Sequence, residues 1–154
     1  MYATTLCLPV KGEPIAEILL GLKKTGFGRG KYNGFGGKVM PGETFTQAAV
    51  RELYEECLLT AAEQELQYAG RLEFLFPFSP ALDHDVAIYL LRRWRGEPGE
   101  TEEMQPAWFP VDGIPYGQMW ADDIAWLPSV LRGEVINGQV LFGADNESIL
   151  EIRL

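Results

Sequence analysis

The sequence has few residues that bind soft metals or form disulfide frameworks, because its 154 residues include one histidine and two cysteines. Cys7 and Cys57 are far apart and fit neither a zinc-ligand pattern nor a disulfide-rich secreted domain. Such sparse cysteine usage is typical of a protein from a reducing compartment. We expect Cys57, which falls in an apolar helical pattern, to be a core residue.

Positive charge is also scarce, since 13 lysines and arginines accompany 22 aspartates and glutamates, for a net charge of -9. A chain with this balance is unsuited to bind a nucleic-acid polymer by neutralising its phosphates, or an anionic membrane through a basic patch. We expect neither partner. A polyanionic small molecule would need a bridging metal cation.

Long hydrophobic runs are missing as well, and the N-terminal segment MYATTLCLPV lacks the basic region and apolar core of a signal peptide. We therefore expect a cytoplasmic protein. No repeat, low-complexity segment or linker interrupts the chain, and 47% of its residues are hydrophobic. This length and composition favour one domain over residues 1–154, acting as a monomer.

Short apolar runs rich in β-forming residues and punctuated by Gly, Pro and Asn predict mostly strand. The predicted strands are 2–10, 15–22, 66–76, 86–94, 108–111, 135–142 and 149–154. Helical spacing appears only in 45–59 and 122–131, where Pro128 should kink or interrupt the second helix. We expect an α+β fold in which helices sandwich a mixed β-sheet.

The first helix carries an unusual acidic face. Thr44 can cap its start, and Glu52, Glu55 and Glu56 recur at helical spacing, so their carboxylates can converge on one side. Exposed like-charge pairs of this kind each cost a few tenths of a kcal/mol (~0.2–0.5). Clustered carboxylates without histidine or cysteine suit a hard cation such as Mg²⁺ or Mn²⁺. The alternative is a solvated acidic face.

The spacing around this helix resembles the Nudix box. The segment GKVMPGETFTQAAVRELYEECLL, starting at Gly37, matches the pattern glycine-x5-Glu-x7-Arg-Glu-aliphatic-x-Glu-Glu-x-Gly-aliphatic at every defined position except Leu58. The family usually has glycine there, which would form a left-handed cap. Leucine predicts a different helix exit, with about one further turn.

The resemblance implies a Nudix fold and hydrolysis of a nucleoside diphosphate linked to another group. It implies that Mg²⁺, or Mn²⁺, is held by Glu52, Glu55, Glu56 and the Gly36 carbonyl. Glu43 and Arg51 would orient these carboxylates. Glu103 matches a late acidic residue near the metals and competes with Glu56 as the general base, although by position alone it is an exposed loop acid.

Three further patches, GLKKTGFGRGKYNGFGGK from Gly21 on, EEMQPAWFP and MWADDIAWLP, are similar to the Nudix branch that hydrolyses oxidised purine nucleoside triphosphates. For that branch the resemblance implies phosphate contact by Lys23, a hydrogen bond from Asn33 to the base, and stacking on Trp120. Its other implied substrate-binding positions are Phe27, Phe35, Gly37, Lys38, Phe74 and Met104. The glycine-rich stretch alone indicates only a loop, and isolated aromatics are more often core.

Asp122 and Asp123 would recognise the Watson-Crick edge of the base. Two adjacent acids in an apolar pocket should differ in pKa, so that an ionised carboxylate accepts while its protonated neighbour donates. Moving one proton would match either 8-oxo-dGTP or 2-hydroxy-dATP. The alternative role for the pair is capping of the second helix.

Two positions depart from this pattern. Leu8 aligns with a threonine of the animal enzymes, which predicts the loss of one polar contact to the base. His84, in ALDHDV, has no partner pattern, and we expect it to be a turn residue.

The expected reaction is attack of water on the β-phosphorus, giving nucleoside monophosphate and pyrophosphate without an organic cofactor. Two alternatives remain open from the sequence. One is a Nudix hydrolase of ordinary dNTPs or nucleotide sugars, and the other is a module that binds nucleotide without catalysis.

Overall fold

The computed structural model describes residues 1–154 and contains a mixed eight-stranded sheet with two α-helices. The strands are β1 (Tyr2–Lys11), β2 (Glu17–Lys23), β3 (Tyr32–Asn33), β4 (Leu66–Leu75), β5 (His84–Leu91), β6 (Met104–Pro110), β7 (Ile136–Phe142) and β8 (Ile149–Arg153). The helices are α1 (Phe45–Cys57) and α2 (Asp123–Leu131). The expected α+β class is confirmed.

The strand order is β3-β2-β1-β5-β4-β7-β8, and β6 also pairs with β2. The β1–β5 and β4–β7 pairs are parallel and the other pairs are antiparallel. In this register His84 lies between Tyr2 of β1 and Phe74 of β4. One end of the central strands therefore carries a row of aromatic side chains.

The two helices cover opposite faces of the sheet, as neighbouring residues of β1 demonstrate. Cys7 packs in a cluster with Leu53 of α1, whereas Leu8 packs in a separate cluster with Leu127 of α2. Successive side chains of a strand point to opposite faces, so each strand serves two cores. The expected sandwich of helix, sheet and helix is present.

Helix α1 begins at the predicted cap. The Thr44 hydroxyl accepts from the Gln47 N–H at 3.1 Å, while the Gln47 side chain accepts from the Thr44 N–H at 2.8 Å. This reciprocal capping box satisfies two N–H groups that no helical carbonyl reaches.

The predicted extra turn at the end of α1 is wrong. The helix ends at Cys57, and Leu58 itself adopts the left-handed conformation, with φ 68°, while its N–H donates to the Tyr54 carbonyl. Leu58 thus forms the left-handed cap that glycine would form at this position of the Nudix box. For leucine this backbone conformation costs about 1–2 kcal/mol.

Helix α2 continues past Pro128 to Leu131, so Pro128 does not interrupt it. Seven of the eight strands were predicted from the sequence, and the two-residue strand β3 was not expected. Strand β6 begins at Met104, earlier than the predicted Trp108, because its register with β2 extends to Lys23.

Cys7 and Cys57 are both buried and unpaired. Neither helix has the length and apolar character needed to cross a membrane.

Candidate active site

A cavity of about 310 Å³ opens at the end of the central strands. Its volume lies at the lower end of the range for small-molecule sites. Its wall includes twelve of the residues singled out in the sequence: Lys23, Phe27, Asn33, Gly36, Gly37, Lys38, Glu56, Phe74, Met104, Trp120, Asp122 and Asp123. The chain thus brings the acidic helix and the Asp122–Asp123 pair, which are far apart in sequence, to one cavity.

Two glycines set the distance between α1 and the sheet. A Cβ at Gly36 would lie 1.7 Å from the Thr5 carbonyl oxygen, and one at Gly37 would lie 2.6 Å from the Glu52 carboxylate carbon. A side chain at Gly36 would force the loop away from β1, and one at Gly37 would displace the Glu52 carboxylate. Glycine here lets backbone and carboxylates meet closely.

Arg51 is the centre of an ion-pair network on the acidic face of α1. Its Nε donates to Glu43 at 2.7 Å, and its Nη1 donates to Glu52 at 2.8 Å and to Glu55 at 3.2 Å. Its Nη2 donates to the Lys38 carbonyl, which ties the helix to the glycine-rich loop. The hydrogen bonds from Arg51 to Glu43, together with one from the Met40 N–H, lower the pKa of Glu43 to about 2.

Glu56 is the acidic side chain of this helix that reaches the cavity, and it is only 2% exposed. Its Oε1 accepts from the Gly36 N–H at 2.7 Å. Burial raises the pKa of Glu56 to about 8, although that N–H and the Lys23 ammonium oppose the shift. The negative charges of Glu52 and Glu103 also contribute to this rise.

Glu103 belongs to the loop before β6 and is exposed. The loop is held against the end of α1, because the Thr101 hydroxyl donates to the Glu56 carbonyl at 3.0 Å. The Glu103 charge also contributes to the raised pKa of Glu52, for which burial is the main cause. Glu103 therefore lies beside the two helix carboxylates, outside the cavity wall.

We define Glu52, Glu55, Glu56 and Glu103 as the carboxylate cluster. In this structure no three acidic, histidine or cysteine side chains converge on a metal-sized centre, and Arg51 holds two of the four carboxylates. The donor chemistry nevertheless fits a hard divalent cation, since every candidate ligand is an oxygen. No hydrogen bond in the turns and loops uses the Gly36 carbonyl, which leaves it available as a further oxygen ligand.

The opposite end of the cavity is aromatic. Phe27 and Trp120 have ring centroids 5.0 Å apart, and Phe27 also meets the edge of Phe76. The Lys31 ammonium lies 5.1 Å from the Trp120 ring centroid. Phe27 remains 53% exposed, so the pocket is open on the side of its glycine-rich loop.

Asp122 and Asp123 close this end at the start of α2. Neither side chain caps the helix; Asp122 Oδ2 instead accepts from the Trp126 indole N–H at 2.8 Å. Asp123 Oδ2 is buried without any partner. We define Phe27, Phe74, Phe76, Trp120 and this aspartate pair as the aromatic pocket.

Burial raises the pKa of both aspartates. The indole N–H moderates the rise at Asp122, whereas the neighbouring Asp122 charge adds to the larger rise at Asp123. The larger rise predicts that Asp123 retains a proton and that Asp122 ionises first. A carboxylate and a carboxylic acid side by side can accept and donate at one base edge.

Two residues differ from their predicted positions. Phe35 is fully buried under α1, where it packs with Leu19 and Leu53 and does not line the cavity. Leu8 also lies in the core. Thr5 of β1 lines the cavity, and its hydroxyl is buried without a hydrogen-bond partner, so the loss of a polar contact to the base at Leu8 stays a prediction.

His84 is likewise not a turn residue, because it begins β5 and lines the cavity. Sequence reasoning missed Thr5, Phe76, His84 and Phe142 as cavity residues. Each lies in or beside a predicted apolar strand. In such a strand, the sequence pattern does not distinguish a residue that faces the core from one that faces a cavity. Only the pairing of β1, β4, β5 and β7 reveals them.

Comparison with known proteins finds similar sequences and a similar fold. The NUDIX domain profile matches residues 4–130. The chain is 50% identical over 142 residues to an oxidized purine nucleoside triphosphate hydrolase of Danio rerio, covering 92% of this chain and 89% of the relative. It is 44% identical over 138 residues to the protein of the same name in Mus musculus, covering 90% and 86%.

Among solved structures, a mutator MutT protein of Bacillus halodurans superposes with a TM-score of 0.85 and 21% identity, over 99% of this chain and 97% of that one. At this identity the likeness concerns the fold.

Proposed function

Because this chain belongs to the Nudix family, we propose that it hydrolyses oxidised purine nucleoside triphosphates to the monophosphate and pyrophosphate. The two relatives of that name, which it matches over most of its length, support the proposal. The observation that carries it is a single cavity whose wall contains both Glu56 and the Asp122–Asp123 pair. One nucleotide could contact the acidic helix with its phosphates and the aspartates with its base.

At the phosphate end, Lys23 lines the cavity close enough for its charge to act on Glu56, and we assign it to the substrate phosphates. Arg51 and Glu43 keep the Glu52 and Glu55 side chains oriented on one face of α1. Glu56 is the proposed general base, because it is the cluster residue in the cavity wall. Glu103 is the alternative base.

Nudix hydrolases need a divalent cation, and we propose Mg²⁺, with Mn²⁺ as a substitute. The residues that would hold it are Glu52, Glu55, Glu56, Glu103 and the Gly36 carbonyl. When bound, such a cation offsets the charge of the triphosphate and lowers the pKa of a coordinated water. A chain with a net charge of -9 needs this help to accept a polyanion.

At the base end, Trp120 and Phe27 offer ring faces for stacking. Ionised Asp122 would accept from N–H groups of the purine, and protonated Asp123 would donate to its carbonyl oxygen. Asn33 is also in the wall; its Oδ1 accepts from the Gly34 N–H, which leaves its amide nitrogen as a donor. This arrangement recognises a purine by complementary hydrogen bonds.

The two unpaired buried thiols are compatible with action in the cytoplasmic nucleotide pool. We propose a monomer that encloses its whole site, which light scattering after gel filtration would test.

The test is a product-release assay with Mg²⁺ and a panel of 8-oxo-dGTP, 2-hydroxy-dATP, O6-methyl-dGTP, dGTP and ADP-ribose. We expect the oxidised purine triphosphates to give monophosphate and pyrophosphate with the highest kcat/KM. EDTA and the Glu56→Gln variant control for contaminating phosphatases.

Equal kcat/KM for dGTP and 8-oxo-dGTP would contradict the proposal and favour a Nudix hydrolase of ordinary nucleotides. Preference for ADP-ribose would assign a different substrate class. Absence of product from the whole panel, with nucleotide binding retained, would indicate a binding module.

A further inference from the structure

His84 has no role in the chemistry described so far, yet it lines the same cavity as Trp120 and Asp122. The chain has no other histidine. Pairing of β5 with β1 and β4 fixes its backbone in the middle of the sheet, between Tyr2 and Phe74. It is therefore part of a rigid wall.

Three rings hold the imidazole. It stacks on Tyr2 with centroids 5.2 Å apart and an interplanar angle of 16°, and on Phe76 at 6.0 Å and 19°. Phe74 lies 5.2 Å away at a tilt of 38°. A ring packed in this way has little freedom to rotate, so its two nitrogens have defined surroundings.

The surroundings determine the tautomer. Nδ1 lies 2.7 Å from the Leu82 carbonyl oxygen, and a carbonyl only accepts, so Nδ1 carries a hydrogen. Burial lowers the pKa of His84, although the Leu82 carbonyl and the charges of Asp83 and Asp85 oppose the shift. In the neutral ring Nε2 therefore has a free lone pair.

Nε2 has no hydrogen-bond partner in the protein, and it is not among the occluded polar atoms of the chain. A molecule in the cavity can reach it. The wall thus presents a hydrogen-bond acceptor on β5, separate from the aspartate pair at the start of α2.

We propose that His84 contacts the purine base of the substrate and accepts a hydrogen bond from a base N–H through Nε2. This inference rests on the proposed function and adds a residue that determines specificity. An 8-oxopurine carries a hydrogen on N7, where an ordinary purine has a lone pair. A fixed acceptor facing N7 would favour the oxidised base and repel the ordinary one.

The test measures the Kd of 8-oxo-dGMP and of dGMP by calorimetry without metal, so that catalysis is not required. His84→Phe keeps a stacking ring but removes both nitrogens, and we expect it to weaken 8-oxo-dGMP binding about three- to tenfold. His84→Gln, which can return an acceptor near the Nε2 position, should recover most of that loss. A packing role alone would give the opposite order.

The Kd of dGMP identifies which base N–H donates to Nε2. Loss confined to 8-oxo-dGMP assigns the contact to N7–H, and equal loss for both nucleotides assigns it to an N–H that they share. Unchanged Kd values in His84→Phe would overturn the inference.

A second measurement needs no variant. Because the tag-free chain has a single imidazole, its two ¹⁵N resonances can be assigned without ambiguity. We expect the Nε2 resonance to shift when 8-oxo-dGMP is added, while Nδ1 stays protonated. An unmoved Nε2 resonance at saturation would contradict the contact.

These outcomes separate the two proposals. If the wild-type protein hydrolyses no oxidised purine triphosphate but His84→Phe still weakens 8-oxo-dGMP binding, the proposed function fails and the His84 contact stands. If hydrolysis is as proposed and binding is unaltered, only the His84 contact fails.

Discussion

The carboxylate cluster and the aromatic pocket both bury acidic side chains, but they surround them differently. Glu56 and Asp123 are almost equally buried, at 2% and 4% exposure. Glu56 has the Gly36 N–H on one oxygen and the Lys23 charge nearby, whereas Asp123 Oδ2 has no partner and lies among rings. Burial raises the pKa of both acids, but Glu56 has a cationic neighbour that opposes the rise, whereas Asp123 has a second acid beside it that adds to the rise.

The different surroundings suit the carboxylic acids of the two regions to different roles. Around the carboxylate cluster, the charged neighbours are the Lys23 ammonium and the Arg51 guanidinium. In the pocket the indole N–H of Trp126, which is neutral, donates to Asp122. Acids next to cations suit phosphate chemistry, and acids among aromatic rings suit recognition of a neutral base.

The largest effect should come from the cluster. Glu56→Gln removes the proposed base while keeping the side chain's size, so kcat should fall about 10²–10⁴-fold. Steady-state kinetics with 8-oxo-dGTP would measure this, and Glu102→Gln, in the exposed loop, is the matched control. If Glu56→Gln keeps the wild-type rate while Glu103→Gln loses it, Glu103 is the base.

The aspartate pair should respond unequally to the same substitution. Asp122→Asn removes the ionised acceptor, and we expect kcat/KM to fall by about 1–3 kcal/mol, or roughly 5- to 150-fold. Asp123→Asn replaces an acid that already carries a proton and should cost less. The reverse order in kinetics with 8-oxo-dGTP would show that Asp122 holds the proton.

The pH dependence of stability distinguishes the pocket further. The folded state retains the Asp123 proton, which the unfolded chain releases above about pH 3.8. The free energy of unfolding should therefore fall as pH rises above that value, by up to about 1.4 kcal/mol per pH unit for one proton.

Urea unfolding from pH 4.5 to 7 would measure this slope. The raised pKa of Glu56 also makes the free energy of unfolding fall as pH rises. The contribution of Asp123 is therefore obtained as the difference in slope between wild type and Asp123→Asn. Identical slopes in the two proteins would contradict a raised pKa at Asp123.

The smallest effect concerns the end of α1. Leu58→Gly relieves the left-handed leucine but adds flexibility to the unfolded chain, so we expect a net stabilisation of about 0.5–1 kcal/mol. Thermal and urea unfolding would measure it, with Tyr54→Ala on the exposed helix surface as a control. Destabilisation would mean that the Leu58 side chain contributes more through packing than its backbone costs.

Much of the acidic half of the site could be predicted from the sequence because its residues are local. The spacing of Gly37, Glu43, Arg51 and Glu56 lies within one loop and one helix, and Thr44 and the helix start were found at the predicted positions. The exit at Leu58 was mispredicted because propensity disfavours a left-handed leucine. The contacts around the helix end override that preference.

The aromatic half could be predicted only where it resembled known sequences. Trp120, Asp122 and Asp123 were found in this way, whereas Leu8 was assigned to the pocket and Thr5 was missed. His84 looked like an isolated turn residue until β5 placed it between β1 and β4.

The sequence by itself determined the acidic helix, its cap and the order of carboxylates along one face, because helical periodicity converts spacing directly into position. Only the tertiary structure decided in which direction burial shifts the pKa of each acid and which aromatic side chains share a cavity with the single imidazole. Those properties depend on burial and on strand register, which bring together residues from β1, β4, β5 and α2 that have no fixed relation along the chain.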